Sequence, residues 1–231
     1  DNANISLPYT NVSTYSAADL LALDDIYSPQ GYGTSNAFTG DTTYGFNTTI
    51  DNSISAIWNE LTTWIGSTGF TIADGAGEDT LDFSGFTVRQ TIDLRASEET
   101  SISPYYSSIN GLEGNLSIAV GTVIENAIGG SAEDLIVGNS AANSINGAAG
   151  DDTMYGLDGD DIYVVDSTSD VVNEDSLEGT DLIQASVSYT APSNVEQLTL
   201  TGSGNINATG NSLDNTLTGN SGDNSIDGST G

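Results

Sequence analysis

The sequence predicts an all-β protein built around a parallel β-roll, with a β-sandwich-like part before it and one or two short helices. Three observations lead there. From Gly129 to Asn173 the chain reads in phase as five nonapeptides: GGSAEDLIV, GNSAANSIN, GAAGDDTMY, GLDGDDIYV and VDSTSDVVN. An oxygen-bearing side chain recurs at the sixth place (Asp134, Asn143, Asp152, Asp161, Asp170), and a residue suited to an interior recurs at the eighth (Ile136, Ile145, Met154, Tyr163, Val172). Short strand-like pieces separated by glycine fill much of the chain ahead of the repeat.

Each nonapeptide combines a polar turn with a very short strand. Glycine admits the positive-φ conformations of a tight turn, and the alternation that follows suits a pleated strand with one inward side chain. A short period of this kind signals a solenoid, in which each coil contacts only its neighbours. Two units complete one coil, so turns two units apart share a side, pairing Asp134 with Asp152, Asn143 with Asp161, and Asp152 with Asp170. Carboxylates stacked this way repel one another and call for a counter-ion. Several calcium ions answer the need, because Ca²⁺ is a hard cation that gathers roughly six to eight oxygens, backbone carbonyls included.

Composition supports the cation reading and excludes others. The 231 residues hold 33 acids against two bases, Arg89 and Arg95, for a net charge of −31. That excludes nucleic acid as a partner, and no apolar run is long enough for membrane insertion. Thirteen of the acids fall between 129 and 181 and only four after 181, so the charge follows the repeat. Histidine is absent, which removes the usual zinc ligand and general base. Acidic pairs such as Asp24-Asp25 and Glu98-Glu99 read as solvated surface.

In chain order, residues 1–36 form a lead-in. It carries a helix capped at Ser16, with Leu20, Leu21, Leu23 and Ile26 as its apolar face and Ser28-Pro29 as its end. Residues 37–128 form a β-strand region, with strands in TTYGFN, GFTIAD, DTLDFSGF, TIDL and LSIAVGTVIENAI. Within it Ile54, Ile57, Trp58, Leu61, Trp64 and Ile65 recur at helical spacing and predict a short amphipathic helix that packs both tryptophans inward. Residues 129–231 form the roll. Its frame slips by two residues after Asn173 and resumes as SLEGTDLIQ, with Asp181 sixth and Ile183 eighth. The frame returns at GNSLDNTLT and GNSGDNSID, where neutral Asn215 and Asn224 stand sixth, so these rungs are expected to stack with little or no bound ion. The final GSTG reads as a roll truncated within a further unit.

Residues 16–181 resemble the C-terminal calcium-binding domain of serralysin-type secreted metalloproteases, peptidase family M10. SAADLLALDDIY, FTGDTTYGF, DGAGEDTLDFSGF and the run from Gly111 to Ile145 carry the likeness. The last third is similar to RTX calcium-binding proteins at large. In each turn the resemblance implies carbonyl donors at the second and fourth places: Gly130, Ala132, Asn139, Ala141, Ala148, Gly150, Leu157, Gly159, Asp166 and Thr168. The sixth-place side chains complete each turn, Asp181 does so in the displaced one, and Glu174 closes one end. It further implies sites ahead of the roll, where Phe38, Gly40 and Thr42 meet Asp74, Ala76, Gly77 and Asp79, with Val123 and Glu125 completing a neighbour.

The catalytic half of that family carries a zinc-binding HExxH motif, which a chain without histidine lacks, so this chain is read as a non-catalytic module. The resemblance implies calcium-driven folding, an extracellular location, an N-terminal protease domain in the same parent protein and export by type I secretion machinery. An RTX adhesin or surface-layer binding module is the alternative.

Overall fold

The computed structural model describes residues 11–12, 38–50, 61–97 and 105–231. The helix expected over 16–27, and Trp58, lie outside them. The described residues fall into two compact units. One holds those up to Leu81 together with Arg95–Ile124, and the other holds Asp82–Leu94 and Glu125–Gly231.

In the first unit, strand Thr68–Ile72 runs parallel to Leu112–Ile118, which pairs antiparallel with Ser107–Ile109. The hairpin joining the last two turns at Asn110 (φ 53°) and Gly111 (φ 78°), the left-handed pair that suits a two-residue turn between twisted strands. The Asn110-Gly111 dipeptide is itself a sequence signal for such a hairpin. Tyr44, Leu61, Ile65, Phe70, Ile72, Leu81 and Ile118 form the buried interior. The short helix is present as Leu61–Trp64, but its packing differs from expectation, since Trp64 is 54% exposed. A single helical turn presents one face inward, and Leu61 and Ile65, four apart, take it.

The second unit is the roll. Thr91–Asp93, Leu135–Val137, Thr153–Tyr155 and Val171–Asn173 pair in parallel as one row. Asn126–Ile128, Ser144–Asn146, Ile162–Val165, Leu182–Ala185, Gln197–Leu200 and Thr216–Thr218 form a second. Tyr189–Thr190, Ala208–Thr209 and Ile226–Asp227 form a third. Ile136, Met154 and Val172 point inward from one row, and Ala127, Ile145, Tyr163, Ile183 and Leu198 from the next, all buried. Each strand is too short to stand alone, so stability comes from stacking. The displaced frame registers as read: Ile162 lies opposite Leu182 and Tyr163 opposite Ile183. No helix among the described residues is long and apolar enough to cross a membrane.

Candidate metal centre

Strand pairing brings the sixth residues of alternate turns into register, and they link directly. Asp152 Oδ1 accepts the Asp134 amide at 2.7 Å, Asp170 Oδ1 accepts the Asp152 amide at 3.0 Å, and Asp161 Oδ1 accepts the Asn143 amide at 2.6 Å. Asp181 Oδ1 accepts the Asp161 amide at 2.9 Å across 20 residues in place of 18, which is the frame slip made visible. One oxygen of each carboxylate therefore serves the ladder.

The second oxygen separates two kinds of turn. Asp134 Oδ2 accepts the amide of Gly130, Asn143 Oδ1 that of Asn139, and Asp170 Oδ2 those of Asp166 and Ser167, so these side chains cap their own turns. In GAAGDD and GLDGDD the second residue is left-handed (Ala148 φ 61°, Leu157 φ 71°) and the fourth is a positive-φ glycine (Gly150 φ 148°, Gly159 φ 133°). There Asp152 Oδ2 and Asp161 Oδ2 are buried and accept no hydrogen bond from the described residues. A Cβ on Gly150 would stand 2.6 Å from the Ala132 carbonyl oxygen and 3.1 Å from Asp152 Oδ1, and one on Gly159 would stand 2.5 Å from the Ala141 carbonyl oxygen. The glycines thus leave small oxygen-lined cradles open between turns 18 residues apart.

Burial raises these carboxyls. Asp152 and Asp161 are each pushed up to about 7 against the pull of the amides they accept, with the charges of Asp170 and Asp134 adding at the first and Asp181 and Asp160 at the second. Burial lifts Asp134 and Asp74 as well. At Asp134 the charge of Arg89 pulls the other way without undoing the rise. Arg89 makes a 3.8 Å pair with exposed Glu133, and Arg95 lies over the Tyr105 ring. An all-oxygen, anionic donor set of this kind fits a hard divalent cation rather than a soft one.

Ahead of the roll, within the first unit, Asp79 Oδ1 accepts the Thr42 amide at 2.8 Å and the Thr42 hydroxyl donates to the Gly40 carbonyl at 2.8 Å. The Gly75 amide donates to the Phe38 carbonyl at 3.4 Å, and a Cβ on Gly77 would stand 2.7 Å from the Gly40 carbonyl oxygen. Ala76 bonds through its amide to Asp74 Oδ1 at 3.3 Å. Phe38, Gly40, Thr42, Asp74, Ala76, Gly77 and Asp79 are therefore neighbours. Val123 is exposed, while the Glu125 carbonyl already accepts Asn143 Nδ2 and the Ser144 amide. Thr168 is exposed and Asp166 serves its turn through its amide.

The family model for the serralysin C-terminal region of peptidase family M10 matches residues 34–220. The chain belongs to the serralysin C-terminal family. Among relatives, it is 39% identical over 138 residues to the metallopeptidase AprA of Pseudomonas marginalis, covering 59% of this chain and 26% of that protein. It is 44% identical over 125 residues to a serralysin of Photorhabdus, covering 53% and 23%. It is 40% identical over 125 residues to serralysin B of Dickeya chrysanthemi, with the same coverage. The chain thus spans about a quarter of the length of these relatives, and what the family model matches is the non-catalytic C-terminal part.

Within the serralysin C-terminal fold, sequence reading missed several polar partners. Tyr44, buried, donates from its hydroxyl to Asp74 Oδ2 at 2.8 Å, and Thr122 bonds both ways with the Asp74 backbone. Gln90 gives its amide to Asp134 Oδ1 at 2.6 Å, and Glu196 Oε2 accepts the Asp181 amide at 2.9 Å. Tyr163, read as an interior residue, is buried and also donates its hydroxyl to Glu174 Oε1. None lies at a repeat position that announces a polar role.

Proposed function

We propose that this chain is a calcium-binding, non-catalytic module whose folding is driven by the ion, and that it serves the folding, stability and type I secretion of a serralysin-like metalloprotease outside the cell. The observation that carries the reading is the pair of buried carboxylate oxygens, Asp152 Oδ2 and Asp161 Oδ2, that accept no hydrogen bond from the described residues and lie against the glycines opening their own turns, Gly147 and Gly156. Burying an unpaired carboxylate is costly, so a fold that does so at successive turns requires an external partner.

Asp134, Asp152 and the Ala132 and Gly150 carbonyls would hold one ion, and Asn143, Asp161 and the Ala141 and Gly159 carbonyls a second. Asp152 and Asp170, with Ala148 and Asp166 beside them, and Leu157 within its turn, extend the series. Phe38, Gly40, Thr42, Asp74, Ala76, Gly77 and Asp79 would hold another, and Val123 and Glu125 are given to a neighbouring site by family likeness alone. Calcium, when bound, supplies positive charge and bonds to oxygen. The chain's own ligands converge only in the coil, so binding free energy becomes folding free energy. Extracellular calcium modules commonly bind around 10⁻⁴ to 10⁻³ M, which keeps such a chain unfolded inside a cell and lets it fold after export. An upstream protease domain would then acquire a folded neighbour only outside.

Far-ultraviolet circular dichroism tests this on the whole chain, from chelator to about 10 mM calcium with magnesium as control, a range set by that affinity. A cooperative gain of β signal with calcium alone is expected. Equal signal in chelator would overturn ion-driven folding.

A further inference from the structure

We infer that the unpaired edge of the first row, at Val171–Asn173, is a binding site for a separate polypeptide in extended conformation that carries lysine or arginine. The site lies within the second unit. It uses backbone groups and carboxylates that the calcium reading leaves free.

Val171–Asn173 is the last strand of its row and pairs on one side only, with Thr153–Tyr155. Such an edge offers alternate backbone groups as a template for another chain. The Val171 amide donates to the Asp152 carbonyl at 2.8 Å and so faces the roll, which turns the Asp170 carbonyl and the backbone groups of Val172 and Glu174 outward. The excursion that follows covers part of this edge with side chains. The Tyr189 hydroxyl donates to the Asp170 carbonyl at 2.8 Å and faces the Val172 amide, standing in for one residue of a missing strand. Asn194 Nδ2 donates to the Glu174 carbonyl at 2.8 Å. Between these two plugs the Val172 carbonyl and the Glu174 amide bond to no described residue. They are the acceptor and donor that a single residue of a parallel strand engages together.

A cleft of about 370 Å³ opens at this gap. Cavities that hold small ligands run from roughly 300 to 1,000 Å³, so it has room for a side chain and its peptide unit. Its lining joins apolar Tyr155, Leu157 and Pro192 to acidic Asp175 and Glu178. Asp175 is exposed, and its amide donates to Glu178 Oε2 at 2.7 Å, which fixes the second carboxylate. Leu177, between the two acids, is fully exposed on a left-handed backbone (φ 77°), an apolar side chain with no cover.

Charge selects the occupant. A second copy of this chain brings a net charge of −31, and its two bases are engaged, Arg89 with Glu133 and Arg95 over Tyr105. A different polypeptide answers the site better. Its backbone meets Val172 and Glu174, its basic side chain meets Asp175 and Glu178, and an apolar neighbour lies on Tyr155 and Leu157. Strand addition of this kind takes affinity from main-chain hydrogen bonds and specificity from side-chain pockets.

The test is fluorescence anisotropy of the full 231-residue chain in saturating calcium, with labelled, end-blocked Ala-Val-Lys-Val-Ala as the probe. The lysine peptide is expected to bind, and the same peptide with glutamate for lysine, or with every amide N-methylated, is expected to lose that binding. Asp175→Asn combined with Glu178→Gln keeps the acceptor for residue 175 and should weaken the lysine peptide by about threefold to tenfold, the scale of two exposed ion pairs. No binding of the lysine peptide overturns the proposal, as does equal binding of the glutamate or N-methylated peptide. A folded double variant with unchanged affinity overturns it too. If the double variant does not fold at saturating calcium, the N-methylated peptide on the unchanged protein decides in its stead.

Discussion

The Asp134 backbone amide donates to Asp152 Oδ1 at 2.7 Å, while Asp152 Oδ2, buried beside it, accepts no hydrogen bond from the described residues. One carboxylate thus both rivets two coils together and holds an unmet charge. Asn143 shows the alternative. Its amide oxygen accepts from Asn139 at 2.7 Å and its nitrogen donates to the Glu125 carbonyl at 3.0 Å, so every polar atom has a partner within the protein.

Asp152→Asn should therefore stabilise the chain in chelator by about 1–3 kcal/mol, the usual cost of a buried unsatisfied group, while lowering the gain that calcium brings. Thermal melts with and without calcium would show the two curves drawing together. Curves that keep their original separation would contradict the account of Asp152.

The converse applies at Asn215. Its Nδ2 donates to the Val195 carbonyl at 2.9 Å and the Glu196 carbonyl at 3.3 Å, and its Oδ1 accepts the Asn211 amide at 2.7 Å. Asn215→Asp turns both donations into repulsion between oxygens and should destabilise the chain in chelator, with partial recovery on adding calcium. A variant as stable as the parent in chelator would show that this rung does not depend on its amide.

Gly150→Ala and Gly159→Ala should each raise the calcium concentration at which the chain folds. The added Cβ meets a carbonyl oxygen, and the backbone sits where side-chain-bearing residues are strained by about 1–3 kcal/mol. Gly228→Ala, with open space around its Cβ position, is the control and should leave the midpoint unchanged.

Acidity separates the two states. Burial raises Asp152 and Asp161 to about 7, Glu174 to about 8 and Asp181 to about 6, while ordinary carboxylates in an unfolded chain titrate near 4. Between those limits the metal-free fold binds more protons than the unfolded chain, so its stability falls as pH rises through the window. Calcium competes with those protons, so the stabilisation it confers should grow with pH. Urea midpoints in chelator and in calcium, at about pH 5 and about pH 9, should lie closer together at the lower value. An equal gap at both would place the ion elsewhere.

Packing also grades along the roll. Ile136 is fully buried and Ile226 is 45% exposed at the end of its row. Ile136→Ala should cost about 2–5 kcal/mol, as core truncations do, and Ile226→Ala well under half of that. Comparable losses in calorimetric melts would mean that the final rungs are covered in solution.

The sequence by itself determined the roll, its register and its inward ladder. A nine-residue period leaves one arrangement that buries every eighth residue and stacks every sixth, and even the two-residue slip before Asp181 survived as a 20-residue step. It also marked the oxygen donors, because their spacing repeats. Tertiary structure decided which donors remain available. Asp134 and Asp152 occupy the same place in their nonapeptides, yet one caps its own turn at Gly130 and the other does not, because Ala148 is left-handed and turns its amide away. Backbone hand at one residue is not written in a periodic pattern. The meeting of Glu174 with Tyr163, and of Tyr44 with Asp74, joins residues with no shared period, and only the closed coil and the packed sheet bring them within reach.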